Sequence, residues 1–274
     1  MIAKILKWLG ILVLLSGICS YLFFAERISS KGRSSEKCEH IKIKILDKEE
    51  RGFVTGEDVV SMIKSYSSNP VGMRRDEINI DAIEALLDRR SAIKKSQVHL
   101  SVNGDLNISI TQRKPVLRIE TERGGFYVDD TEYVFPLEKS FSSYVPIITG
   151  NLPLNLKENQ RGSLSKECSQ WIKGMTALGN YLQNNSFWPE QIAQIYIEEN
   201  GELVLFPRSG PQRIIFGDSG NLEEKFEKLY AFYAQIVPVA GWNKYSEVNL
   251  KFRGEIICKR MKNRHANIPN FFIY

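Results

Sequence analysis

The chain has 274 residues, with 37 Lys and Arg against 32 Asp and Glu, a formal net charge of +5 and 25% charged residues. So mild a balance, with bases dispersed among acids, argues against a nucleic-acid-binding surface. Four cysteines, widely spaced and without a C-x-x-C pair, exclude a disulfide framework and a zinc ribbon.

The first element is an uncharged, largely apolar run from Trp8 to Ala25, preceded by Lys4 and Lys7. With Ile5 and Leu6 it reaches the roughly 20 residues that span a bilayer core. A cleaved signal peptide carries a shorter apolar stretch, about 7–15 residues, and small side chains at its exit. Here Leu22-Phe23-Phe24-Ala25 places bulky aromatics there, which suit an interfacial belt. Cys19 is preceded by Ile18 and not by the small residue of a lipid-attachment site. Residues 8–25 therefore read as a retained transmembrane helix, with residues 1–7 as a cytoplasmic arm and the bulk exported. Arg27, Lys31, Arg33 and Lys37 on the far flank weaken the positive-inside argument, so the orientation rests on the shortness of the N-terminal arm.

Residues 26–40 are polar and lack apolar periodicity, as a tether would. Ile41, Ile43 and Ile45 then alternate with lysines as a half-buried strand. Thr55 and Asp58 predict a capped helix with Val59, Val60, Met62 and Ile63 inside. A second helix is expected near Asp81, with Glu84 at the capping-box position and Ile83, Leu86 and Leu87 facing in. Val98, Leu100 and Val102 alternate ahead of Asn103-Gly104, a type I′ hairpin signal, and Leu106, Ile108 and Ile110 form the return strand. The order strand, helix, helix, strand, strand gives one α+β domain over residues 41–115.

Residues 116–260 are richer in strands. Val116–Glu120, Phe126–Val128 and Tyr133–Phe135, around an Asp129-Asp130 turn, are followed by Val145–Ile148. A helix from about Ser165 aligns Cys168, Trp171, Ile172, Met175, Leu178 and Leu182 on one stripe. Strands are expected at Ile192–Ile197, Glu202–Phe206 and Arg213–Phe216. Asn221 caps the next helix, with Glu224 at its third position and Tyr230 and Tyr233 at the edge of its apolar face, hydroxyls toward water; Pro238 and Gly241 end it. Val248–Phe252, Arg253-Gly254 and Glu255–Arg260 read as a terminal hairpin, with a tail over 261–274. Cys168 and Cys258 read as buried small hydrophobes, with a bridge between them left open.

A search for chemistry finds little. His40, His99 and His265 sit in no metal or triad pattern. Gly217-Asp218-Ser219-Gly220 lacks the Lys-Ser/Thr of a phosphate loop. Ser-x-x-Lys occurs at Ser34, Ser61, Ser91 and Ser163, near the chance level and without its Ser-Asp-Asn or Lys-Thr-Gly partners. Asp129/Asp130 and Glu223/Glu224 are explained by a turn and a helix start. The expectation is no enzyme, no cofactor, no metal and no small-molecule substrate.

Several motifs, in order, carry a resemblance. They are Gln112-Arg113-Lys114-Pro115, with Gln where Glu is usual; Val128-Asp129-Asp130 through Tyr133-Val134-Phe135-Pro136-Leu137, with Glu132 where Gly is common; Val145-Pro146-Ile147-Ile148-Thr149-Gly150; Leu203 to Lys225, ending Phe216-Gly217-Asp218 and Glu224-Lys225; and Val248 to Phe252. Over about residues 5–260 the chain resembles the FtsQ/DivIB family of bacterial cell-division proteins, the Bacteroidetes-type version in particular.

The resemblance implies a POTRA-like β-α-α-β-β domain and an FtsQ-type β domain with two helices, after a single inner-membrane helix. It implies a non-enzymatic divisome scaffold at the septum, mostly periplasmic. Its partners would be FtsB- and FtsL-type bitopic proteins, with the FtsW/FtsI septal synthase complex beyond them. In relatives the FtsB contact is made by strand addition at the C-terminal edge. That edge would be Glu255, Ile256, Ile257, Cys258, Lys259 and Arg260, with Lys251 and Phe252 on the neighbouring strand. Backbone pairing would give affinity, Phe252, Lys259 and Arg260 specificity, and a proline at Ile257 would remove one donor. The rivals are a POTRA-containing secretion or assembly factor, which would need a barrel for which no chain remains, an anchored cell-wall enzyme, and a transmembrane sensor, for whose signalling domain the arm before Trp8 is too short.

Overall fold

The structure is a computed structural model that describes residues 8, 13–23, 37–47, 52–66, 69–138 and 142–261. Residue 8 and residues 13–23 are helical, with exposed side chains. Among the described residues no helix is long and apolar enough to cross a membrane. The remainder of the expected span, residues 1–7, most of the tether and the tail beyond Met261 lie outside the described residues. The chain divides into two compact units, Met1–Gln112 and Arg113–Tyr274.

In the first unit, β1 (Ile41–Ile45), α1 (Gly56–Tyr66), α2 (Ile80–Asp88), β2 (Ile93–Leu100) and β3 (Leu106–Gln112) follow in order. The sheet order is β1-β3-β2, with β1 parallel and β2 antiparallel to the central β3. Strict alternation buries Leu106, Ile108 and Ile110 of β3, while Val59 and Ile63 of α1 and Ile83 and Leu87 of α2 are buried with them. Thr55 caps α1 as expected: its hydroxyl accepts from the Asp58 N–H at 3.1 Å, and the Asp58 carboxylate accepts from the Thr55 N–H at 2.9 Å.

Four local expectations fail here, two of them, at Glu84 and Cys38, because a distant segment supplies a partner. The cap of α2 is Asn79, whose Oδ1 accepts from the Ala82 N–H at 2.9 Å. Glu84 instead accepts from the Val98 N–H of β2 at 2.6 Å. The Asn103-Gly104 hairpin is not type I′, because Gly104 (φ 79) adopts a positive φ and Asn103 does not. Ser101 donates to the Asp105 carbonyl at 2.9 Å, which closes a three-residue loop and leaves Val102 75% exposed. Cys38 is buried where a tether was expected: its N–H donates to Met73 O at 2.9 Å and its carbonyl accepts from Gly72 at 2.8 Å. That burial raises its thiol pKa.

The Asp58 carboxyl is held below its ordinary 3.8, first by the Thr55 N–H and then, against an opposing desolvation, by the Thr55 hydroxyl and Arg90. A depressed folded value means stability is present above pH 3.8 and is lost as pH falls through the folded value. The melting temperature of the first unit is expected to fall below about pH 4, and Asp58→Asn to flatten that fall. An unchanged pH slope in melting curves between about pH 6 and 3 would refute the assignment.

The second unit holds β4 (Pro115–Thr121), β5 (Gly124–Asp129), β6 (Val134–Pro136), β7 (Ile147–Gly150), α3 (Lys166–Asn184), β8 (Ile192–Ile197), β9 (Leu203–Pro207), β10 (Arg213–Gly217), α4 (Leu222–Ala231), a π turn (Phe232–Ile236), α5 (Val237–Ala240), β11 (Tyr245–Asn249) and β12 (Ile257–Arg260). One nine-stranded sheet results, in the order β12-β11-β10-β9-β8-β7-β4-β5-β6. Alternate residues such as Leu117, Ile195, Leu205, Ile214 and Val248 share one core with Ile172, Met175, Leu178 and Leu182 of α3 and with Phe226 and Leu229 of α4. Phe226 sits within 5.2 Å (ring centroids) of Tyr181, Trp188 and Phe216, an aromatic cluster that binds α4 to α3 and β10.

The start and end of α4 differ from the expected helix. Asn221 (φ 52) is left-handed and its side chain makes no cap bond. Pro238 does not stop the helix. It lies in α5, just after the π turn, where the missing N–H and the ring's clash with the preceding turn suit a widened backbone. The inserted residue shifts the buried face, so Phe232 and Tyr233 are both buried. Among the described residues the Tyr233 hydroxyl finds no hydrogen-bond partner, and burial pushes its pKa up to about 12. Cys168 and Cys258 are half-buried and all four cysteines are free, so the bridge left open is not formed.

A candidate partner-binding edge

β12 stands at one end of the nine-stranded sheet and, among the described residues, is paired only with β11, antiparallel, in the register Asn249↔Ile257, Val248↔Cys258 and Glu247↔Lys259. The Met261 N–H donates to Lys244 O at 3.0 Å, so Met261 faces the sheet. By alternation Lys259 and Ile257 face it too, and the N–H and C=O of Cys258 and Arg260 point to the open side. A proline at Ile257 would therefore break the protein's own ladder, and Cys258 is the position whose donor is offered outward.

The strand is shorter than expected. Glu255 and Ile256 belong to the connection before it, as do Lys251 and Phe252, which are not on the neighbouring strand. This connection is held by α4. Lys228 Nζ donates to Leu250 O at 2.9 Å and Phe252 O at 2.6 Å, and Glu224 accepts from the Gly254 N–H at 2.8 Å. That hydrogen bond leads the causes lowering the Glu224 pKa. Lys251 pairs with Glu202. The position of Glu224 in the first turn of α4 predicts a cap, and the structure turns it to Gly254 instead. The i,i+4 Glu224–Lys228 pair (3.6 Å) was the available sign that both side chains leave the helix together. Phe252 and Ile257 are each 49% exposed, and Lys259 and Arg260 are exposed, so apolar and cationic side chains flank the open backbone. Burial raises the Cys258 thiol pKa, which suits packing and not nucleophilic work.

Among the described residues no group of His, Cys, Asp and Glu could hold a metal ion. A family model described as FtsQ/DivIB, C-terminal related, matches residues 114–259, and a POTRA-like domain matches residues 36–111. The chain belongs to the FtsQ/DivIB family. It is thereby a division-related scaffold, from a family that is generally non-enzymatic and works with other division proteins. No curated protein matches it.

The motifs of this FtsQ/DivIB chain prove structural. Gln112 is fully buried; its Oε1 accepts from the Val54 N–H at 2.9 Å and its Nε2 donates to Asp47 at 3.2 Å. A Glu there would lose that donor and set two carboxylates together, which explains the departure from the usual residue. Glu132 keeps the turn where Gly is common by adopting φ 66, a conformation that costs an L-residue about 1–2 kcal/mol. Lys225, 6% exposed, donates to Asp218 O at 2.9 Å and Oδ1 at 2.7 Å and lies 4.8 Å from the Phe216 ring centroid. The Phe216-Gly217-Asp218 block and Lys225 are thus one clamp between β10 and α4.

Proposed function

We propose that this FtsQ/DivIB protein is a non-enzymatic inner-membrane scaffold of the divisome, anchored through residues 8–25, with its bulk in the periplasm. It links early to late division proteins and receives an FtsB-type partner, with FtsL beside it, by strand addition at β12. The FtsW/FtsI complex is then reached through these partners. The observation that carries the reading is the open edge of β12, with the Cys258 and Arg260 backbone groups turned outward. Phe252, Lys259 and Arg260 around it supply selectivity.

Cys258→Pro removes one outward donor on an edge strand, where proline is tolerated. The full chain carrying it is expected to fold and to bind an FtsB-type partner at least about tenfold more weakly, the equivalent of one hydrogen bond of about 1.4 kcal/mol. Ile257→Pro should instead damage the hairpin itself. Normal binding by folded Cys258→Pro would overturn the edge assignment. An even envelope distribution of the N-terminally tagged protein in dividing cells, with no midcell band, would overturn the divisome reading.

A further inference from the structure

The three-stranded sheet of the first unit has two edges, and they differ. The β2 edge is closed by side chains. The Ser96 N–H donates to Asp88 Oδ1 at 2.9 Å and the Val98 N–H to Glu84 Oε1 at 2.6 Å. Arg75 donates to the Leu100 carbonyl at 2.9 Å. Side chains of α2 and of the turn before it thus consume the groups an added strand would need.

Among the described residues the β1 edge carries no such cover. Leu106 donates to His40 O at 2.8 Å and Leu46 donates to Ile110 O at 2.9 Å, so residues 40 and 46 face β3. Alternation turns Lys42 and Lys44 the same way and aims the backbone groups of Ile41, Ile43 and Ile45 outward. The backbone pairing between Cys38 and residues 72–73 closes the chain just before the strand and stops there. Ile41, Ile43 and Ile45 are only half-buried on the helix-covered face, so their flanks await a neighbour. On the opposite face Lys42 and Lys44 are exposed; His99 of β2 lies in the row of Lys42 through Asn107, and the neutral Gln97 lies in the row of Lys44 through Ser109. Asp105 engages Lys42 at 2.5 Å; the charge of Lys44 stands toward solvent.

We propose that β1 is a second strand-accepting edge, which takes an extended peptide segment of a partner protein alternating apolar with acidic residues. Apolar residues extend the Ile41, Ile43, Ile45 row, and acids stand beside Lys42 and Lys44. A second copy of the same chain is the wrong occupant, because β1 against β1 would set lysine rows side by side.

The test uses the full chain in neutral detergent and two labelled eight-residue probes, a Val-Glu repeat and a Val-Lys repeat. By fluorescence anisotropy the Val-Glu probe is expected to bind at least about tenfold more tightly, with affinity falling as salt rises. It should slow amide exchange at Ile41, Ile43 and Ile45. Ile43→Pro should abolish this binding, and Lys42→Glu with Lys44→Glu should invert the preference between probes; the second variant decides if the first fails to fold. Cys258→Pro should leave it unchanged, which separates this edge from β12. Absence of binding, equal affinity for both probes, protection confined to β12, or indifference to the lysine reversal would each overturn the proposal.

Discussion

Arg113→Ala is expected to remove about 3–5 kcal/mol from the stability of the second unit, the usual consequence of stranding a buried charge. Asp129 is fully buried. Its Oδ2 accepts from Arg113 at 2.8 Å, and its Oδ1 accepts from the Thr131 N–H at 2.8 Å, the Thr131 hydroxyl at 2.7 Å and the Tyr133 N–H at 2.9 Å. The guanidinium also lies 3.3 Å from the Tyr133 ring centroid, so its plane is held on two sides. Without Arg113 the carboxylate keeps its turn-forming bonds and loses its countercharge. Since whole domains are stable by about 5–15 kcal/mol, this is a large share. Urea unfolding followed by tryptophan fluorescence reads it, because Trp171, Trp188 and Trp242 all lie in this unit. Asp129→Asn in the Arg113→Ala background should recover part of the loss by removing the stranded charge. A loss under about 1 kcal/mol would mean the pair is solvated in solution.

Gly150→Ala is expected to cost about 2–6 kcal/mol, from two separate sources. Gly150 has φ 99, where a side chain is strained. A Cβ there would also stand 2.3 Å from the Ile197 carbonyl oxygen and 2.9 Å from its nitrogen, both backbone atoms of the paired strand β8. That carbonyl already accepts from the Asn151 N–H at 2.9 Å, so it cannot simply turn away. The glycine closing the Val145-to-Gly150 motif is therefore a requirement of the β7–β8 ladder, at the centre of the nine strands. The same urea measurement decides: a near-neutral Gly150→Ala would show that β7 is free to move off β8.

Alternation and capping were readable because they are local. The Ile41-Ile43-Ile45 pattern needs only its own residues to declare a strand, and Thr55 with Asp58 encloses a helix start within four positions. The apolar stripe of α3 was readable for the same reason. Glu84 and Glu224 were misassigned because a carboxylate at a helix start has the same sequence signature whether it turns to its own backbone or to another segment. Val98 and Gly254, which receive them, lie 14 and 30 residues away. Asn103-Gly104 announced a hairpin correctly but not its loop, since the Ser101–Asp105 pairing sets the turn. The inserted π residue before Pro238 left no mark on the apolar periodicity, so Tyr233 went from the rim to the interior.

By itself, then, the sequence determined the apolar N-terminal run, the two-part α+β organisation and the family, all of which follow from periodicity and motif order along the chain. Only the tertiary structure decided which strands are edges and which way their backbone groups point. An edge is defined by the absence of a neighbour, and a neighbour can come from anywhere in the chain. Thus Ile257 turns its N–H inward to β11 and Cys258 turns its own outward, although nothing in the sequence Ile257-Cys258 distinguishes the two.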